Sequence, residues 1–115
     1  MLKIDAAALD YKALNDSLRA SEGDCIISGC LGQRFIAAGM GARTITIDGV
    51  PGNALGAYLN GADIIVHGNA QDAVGDTMNE GRIVVHGHIG DAAGYAMRGG
   101  KILVKRDAGY RAGIH

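Results

Sequence analysis

The feature that most constrains this chain is that it aligns with itself, without a gap, at a shift of nineteen residues. Segments begin at Cys30, Gly49, Gly68, Gly87 and Arg106. Place eight of the segment holds Ala37, Gly56, Gly75, Gly94 and Gly113, and place four holds Gln33, Gly52, Gln71, Gly90 and Gly109. Place eleven holds Met40, Leu59, Met78 and Met97, and places sixteen to eighteen read ITI, IIV, IVV and ILV. A unit this short, with one β-branched strand, cannot bury its own apolar face, so successive copies must stack and share a core. Strands of neighbouring coils then pair in parallel, about 4.8 Å apart, and equivalent residues form ladders along the axis. The composition agrees: 19 glycines with no Trp, one Phe and one Pro suit short aliphatic strands joined by tight corners.

Side chains reverse face at every strand residue, which sorts the columns. Places fifteen and nineteen are polar (Thr44, Asp63, Arg82, Lys101 and Asp48, His67, His86, Lys105) and face out. Places sixteen and eighteen therefore point in: Ile45 and Ile47, Ile64 and Val66, Ile83 and Val85, Ile102 and Val104. Place seventeen shares the outward parity yet carries Ile65, Val84 and Leu103 after Thr46. Three stacked outward aliphatics form an apolar strip, the candidate interface with a partner or another subunit, the alternative being cover by the chain's own segments or tolerated exposure. The recurring glycines, Gly49, Gly56, Gly68, Gly75, Gly87 and Gly94, are candidate corner residues, serving positive φ or close approach between coils.

The pattern divides the chain into residues 1–29, a helix and opening strand that cap the stack, and 30–115, the repeats. The coils run 30–48, 49–67, 68–86 and 87–105, with 106–115 a partial one. In the capping part, Tyr11, Leu14 and Leu18 stand at helical spacing, with Asp10 a candidate N-cap and Gly23 a stop signal. CIISG then has the strand pattern and is expected to open the stack. The fifth segment stops half-way round, so that end is expected to meet a partner or another copy of the chain, unless the chain is a piece of something longer.

The chemistry-bearing residues offer little. His67 and His86 share an outward column, with His88, Asp48 and Asp63 nearby, but stacked imidazoles follow from the repeat itself, and no metal site is expected. The spacing GxxGxxxG in GVPGNALG and GHIGDAAG recurs at every turn, whereas a phosphate-cradling loop occurs once, between a strand and a helix. Cys25 and Cys30 lack a zinc-set partner, and Cys30 lacks a base, so both are expected as packed thiols. No catalytic residue is expected. The near-neutral net charge of −1, with scattered Lys and Arg, leaves no nucleic-acid footprint. The opening MLKIDAAALD is neither a signal peptide nor a membrane span, so the chain is expected in the cytoplasm.

The strings GQRF, GVPGNALGAYLNG, GNAQDAVGDTMNEGRIVVHG, GDAAGYAMRGGKILV and AGYRAGIH resemble the GXGXG domain at the C-terminal end of the glutamate synthase large subunit. The similarity is to the form that archaea and some bacteria encode separately, and it runs from about residue 4 to 115. The stand-alone form continues beyond GIH, and family members differ at the places of Ala37, Ala73 and Ala93. The resemblance implies an all-β, right-handed, single-stranded parallel β-helix that does no chemistry of its own. It implies a spacer between a glutaminase and an FMN and iron–sulfur synthase in glutamine-dependent glutamate biosynthesis, with FMN and the cluster carried by those partners. The domain type is shared with a structural component of formylmethanofuran dehydrogenase, which is the alternative setting for such a chain. A hexapeptide acyltransferase using His67 or His86 is disfavoured, because its coils need a period near eighteen with an aliphatic every six residues.

Overall fold

The computed structural model describes residues 2 to 105. One helix and six strands follow in the order β1 (Leu2–Asp5), α1 (Tyr11–Arg19), β2 (Cys25–Leu31), β3 (Thr44–Val50), β4 (Asn60–His67), β5 (Glu80–Val85) and β6 (Lys101–Val104). The strands form one sheet in chain order, and every neighbouring pair is parallel. This is a parallel β-helix with one strand-paired side and corners elsewhere. No helix of the described residues is long and apolar enough to cross a membrane.

The ladders follow the repeat. Ile45, Ile64, Ile83 and Ile102 are consecutive partners across β3 to β6, as are Ile47, Val66, Val85 and Val104. All are fully buried except Val104, which is half-buried and packs against the core. Ile36, Leu55 and Val74 come from the corners, and Met40, Leu59 and Met78 from the return to the strand, to complete the interior. Burying one such aliphatic side chain contributes about 1.5–3 kcal/mol, so the ladders supply much of what holds the coils in register. The register slips once within the repeats: Asn60 pairs with Glu80 but Asp63 with Arg82, where a glycine moves from place thirteen (Gly61) to fourteen (Gly81).

Each corner is built from alternating left-handed residues. Positive φ recurs at place six (Phe35, Ala54, Ala73, Ala92), place eight (Ala37, Gly56, Gly75, Gly94) and place ten (Gly39, Tyr58, Thr77, Ala96). The alternation sends successive amides to opposite neighbours. Ala54 N and Ala73 N donate forward to Asp72 O and Asp91 O, whereas Gly56 N, Gly75 N and Gly94 N donate back to Ile36 O, Leu55 O and Val74 O. Backbone groups that a buried turn would otherwise orphan are thereby paired between coils.

At the N-terminal end there is no preceding coil, and side chains take its place. Asn15, on α1, accepts from Ala37 N at 2.9 Å and donates to Phe35 O at 2.9 Å. Gln33 accepts from Leu31 N at 2.7 Å and donates to Ala6 O and Leu9 O. These are the buried polar residues of the described chain. Leu14 and Leu18 cover the exposed end of the core, and Asp10 caps the helix by accepting from Ala13 N at 2.8 Å.

Three expectations are corrected. CIISG lies in β2, and β1 opens the sheet ahead of it, with Leu2 and Ile4 half-buried against the core. Its four residues are too short a run for period-two alternation to stand out. Gly23 does not stop the helix, which ends at Arg19 with Ala20 as C-cap. Arg43 terminates it instead, donating to Leu18 O at 2.8 Å and Ser21 O at 3.2 Å. Tyr11 does not join Leu14 and Leu18 in the core: it is 36% exposed, with the Arg34 guanidinium carbon 4.5 Å from its ring centroid.

Candidate functional site

The outer face of the sheet is where the parity argument placed unexplained apolar side chains. Ile65 and Val84 stand half-buried on β4 and β5, and Leu103 on β6 is 38% exposed. They are consecutive ladder partners, continued toward the N-terminus by Thr46, Ile26 and Lys3. Among the described residues the strip keeps part of its outer surface exposed. On one side of it Arg82 Nε lies 3.6 Å from Asp63 Oδ1, both half-exposed. On the other side His67 and His86 stack with centroids 5.1 Å apart and planes at 14°.

Of the six candidate corner glycines, Gly49, Gly56, Gly68, Gly75 and Gly94 have positive φ. Gly56 and Gly75 also face the core. A Cβ on Gly75 would lie 2.6 Å from Ile102 Cδ1, and one on Gly56 would lie 2.7 Å from Ile83 Cδ1. Gly87 is different: its φ lies outside the left-handed region, and a Cβ there would run into Asn69 and the backbone of Gly68 in the coil before.

Both cysteines are free and buried. Burial pushes the Cys30 thiol up to about 11, with the nearby Asp48 carboxylate adding to the shift. Burial likewise raises Cys25, against a smaller opposing pull from Arg43. Thiols held protonated in this way are packing groups rather than nucleophiles at neutral pH. Among the described residues no group of three or more His, Cys, Asp or Glu side chains is placed to hold a metal ion. The two larger surface concavities, of about 390 Å³ beside Tyr11 and Arg34 and about 460 Å³ beside Arg19 and Arg43, contain neither histidine nor cysteine. The partial coil 106–115, and with it the expected contact at the C-terminal end, lies outside the described residues.

Sequence reasoning missed Asn15 and Gln33. Gln33 was visible in a repeat column, but a capping role is legible only once the absent preceding coil is known. Asn15 carried a weak signal, a polar residue between Leu14 and Leu18 on the apolar side of the helix.

The arrangement is thus a stacked, internally satisfied element whose distinguishing surface is a flat sheet face. An uncharacterized protein of Methanocaldococcus jannaschii is 48% identical to the chain over 120 residues. That match covers 97% of this chain and 46% of the relative, so the chain spans about half the relative's length. No solved structure matches the chain significantly. The GXGXG motif model matches residues 11–115. The chain belongs to the GXGXG motif family.

Proposed function

We propose that this chain is a non-catalytic β-helix scaffold of a glutamate synthase-like complex. It holds a glutaminase and an FMN- and iron–sulfur-bearing synthase in register for glutamine-dependent glutamate formation in the cytoplasm. The cofactors belong to the partners. The observation that carries the reading is the continuous parallel register of six strands over a shared aliphatic core, in a body 32 Å along its longest axis. An element of this kind fixes the distance and orientation of whatever binds its sides. The strings around NAQD and YAMRGG favour this complex over one related to formylmethanofuran dehydrogenase.

The test is reconstitution. The purified chain mixed with the cognate glutaminase and FMN-binding proteins is expected to form a stoichiometric complex and to raise glutamine-dependent glutamate formation above that of the two proteins alone. Absence of a complex, together with activity indifferent to the chain, removes the scaffold reading. Assembly with formylmethanofuran dehydrogenase components instead transfers the scaffold role to that enzyme.

A further inference from the structure

The outer sheet face carries a charge order that stacking alone does not require. One outward column runs Asp24, just before β2 and bonded to the Thr44 amide, then Thr44, Asp63, Arg82 and Lys101 to β6. Another runs Asp5 and Ser28 on β1 and β2 and, past the bulge between Ile27 and Cys30, Asp48, His67, His86 and Lys105. Between them lies the column Lys3, Ile26, Thr46, Ile65, Val84, Leu103, apolar at four of its six places. The face is therefore acidic toward β1 and cationic toward β6, with an apolar seam down the middle. Lys3 is the exception inside the acidic end, and Glu80 lies at the start of β5 outside the three columns.

We propose that two copies of the chain pair through this face, with their sheets face to face and their solenoid axes antiparallel. The two-fold axis runs along the strands between β3 and β4. This operation sets β1 against β6, β2 against β5 and β3 against β4 of the second copy. Asp5 then faces Lys105 and Asp24 faces Arg82, each pair occurring twice, as an isologous interface demands, while Asp48 lies opposite His67 as a hydrogen-bonding partner. Along the seam Ile26 meets Val84, Thr46 meets Ile65, and the aliphatic stem of Lys3 covers Leu103. A two-fold axis along the solenoid would instead place Lys101 against Lys105 and leave Asp24 opposite Ser28, so the charges select the antiparallel arrangement.

Six strands at about 4.8 Å spacing and five places at about 3.3 Å give a contact face of roughly 400 Å² per copy. At roughly 800 Å² for the two copies together this is below the standard size and in the range of weak, transient encounters, so the dimer is weak and sensitive to salt. The proposal goes beyond the scaffold reading and stands or falls separately from it.

Sedimentation velocity of the full chain over a range of concentrations at low salt is expected to show a monomer–dimer equilibrium, weakened about 10-fold or more at high salt. Asp5→Lys and Lys105→Asp each place like charges opposite one another, and each alone is expected to weaken the dimer about 10-fold or more. Mixed in equal amounts, the two variants regain both opposite-charge contacts, and association within about 3-fold of the parent is expected. Thermal unfolding of each variant establishes that it is folded. A parent chain that stays monomeric, a dimer indifferent to both substitutions, or folded variants that do not associate when mixed overturns the proposal. A chain that assembles with glutaminase and synthase as a monomer overturns it while leaving the scaffold reading intact.

Discussion

At the residue scale, the side chains with most leverage are those standing in for a missing coil. Asn15 Oδ1 accepts the amide of Ala37, which in later coils is the amide donated back to the coil before. Asn15→Ala leaves that amide unpaired at a buried site and removes the donor to Phe35 O. Unmaking a buried hydrogen bond in this way costs about 1–3 kcal/mol per stranded group, so a loss of about 2–4 kcal/mol is expected in urea unfolding. A loss no larger than that of an exposed substitution such as Lys12→Ala would contradict the capping role. Cys30 supplies a pH signature. Its folded thiol is raised from 9.0 to about 11, so the unfolded chain ionises first. Its contribution to stability is complete below pH 9 and is lost as pH rises toward 11. Cys30→Ala, compared with the parent over this interval, is expected to flatten the alkaline fall in unfolding free energy. An unchanged slope would count against a thiol held protonated by burial.

At the element scale, the corner is where sequence and structure diverge most usefully. Glycine columns at places one and eight were legible as corners, but places six and ten were not. They carry Phe, Ala, Tyr and Thr as well as Gly, and such residues adopt positive φ only because inter-coil hydrogen bonds hold them there. Thr77, β-branched at φ 53°, is the most strained of these by residue type. Relief of a left-handed β-branched residue outweighs the greater unfolded-state entropy of glycine, so Thr77→Gly is expected to stabilise the fold by about 0.5–1 kcal/mol. A lowered melting temperature in calorimetry would show that the Thr77 hydroxyl, bonded to Asp76 Oδ1 at 2.9 Å, matters more than backbone strain. The strands were far more legible. Parity and β-branched runs identified the inward ladders, whereas β1 escaped because four residues outside the repeat have no equivalent column to compare with. Helix α1 was readable from Asp10, Leu14 and Leu18, but its end was not, because Arg43 supplies the termination from 24 residues beyond Arg19.

At the scale of the whole molecule, the period of nineteen made the fold legible, because equal spacing leaves stacking as the way to bury every copy of the apolar face. The outward seam Ile65, Val84 and Leu103 was legible from the same parity, while its role was not, since an apolar strip alone says nothing of what meets it. The charge order beside it was present in the columns but acquires a direction only when the strands are laid in sequence across one sheet. If the coil is the unit of construction, removing one coil must preserve every ladder. Deleting residues 68–86 joins His67 to Gly87 and brings Ile64 beside Ile102 in the place of Ile83, with inward and outward faces unchanged. Deleting residues 68–85 leaves one residue in excess, which must be taken up as a bulge, as between Asn60 and Asp63, or else turn the following strand over. Urea unfolding of the two deletions, followed by circular dichroism, is the most direct test. The account predicts a cooperative transition for the nineteen-residue deletion and a midpoint at lower urea for the eighteen-residue one. A nineteen-residue deletion that is no more stable than the eighteen-residue one, or that alone collapses, would contradict it.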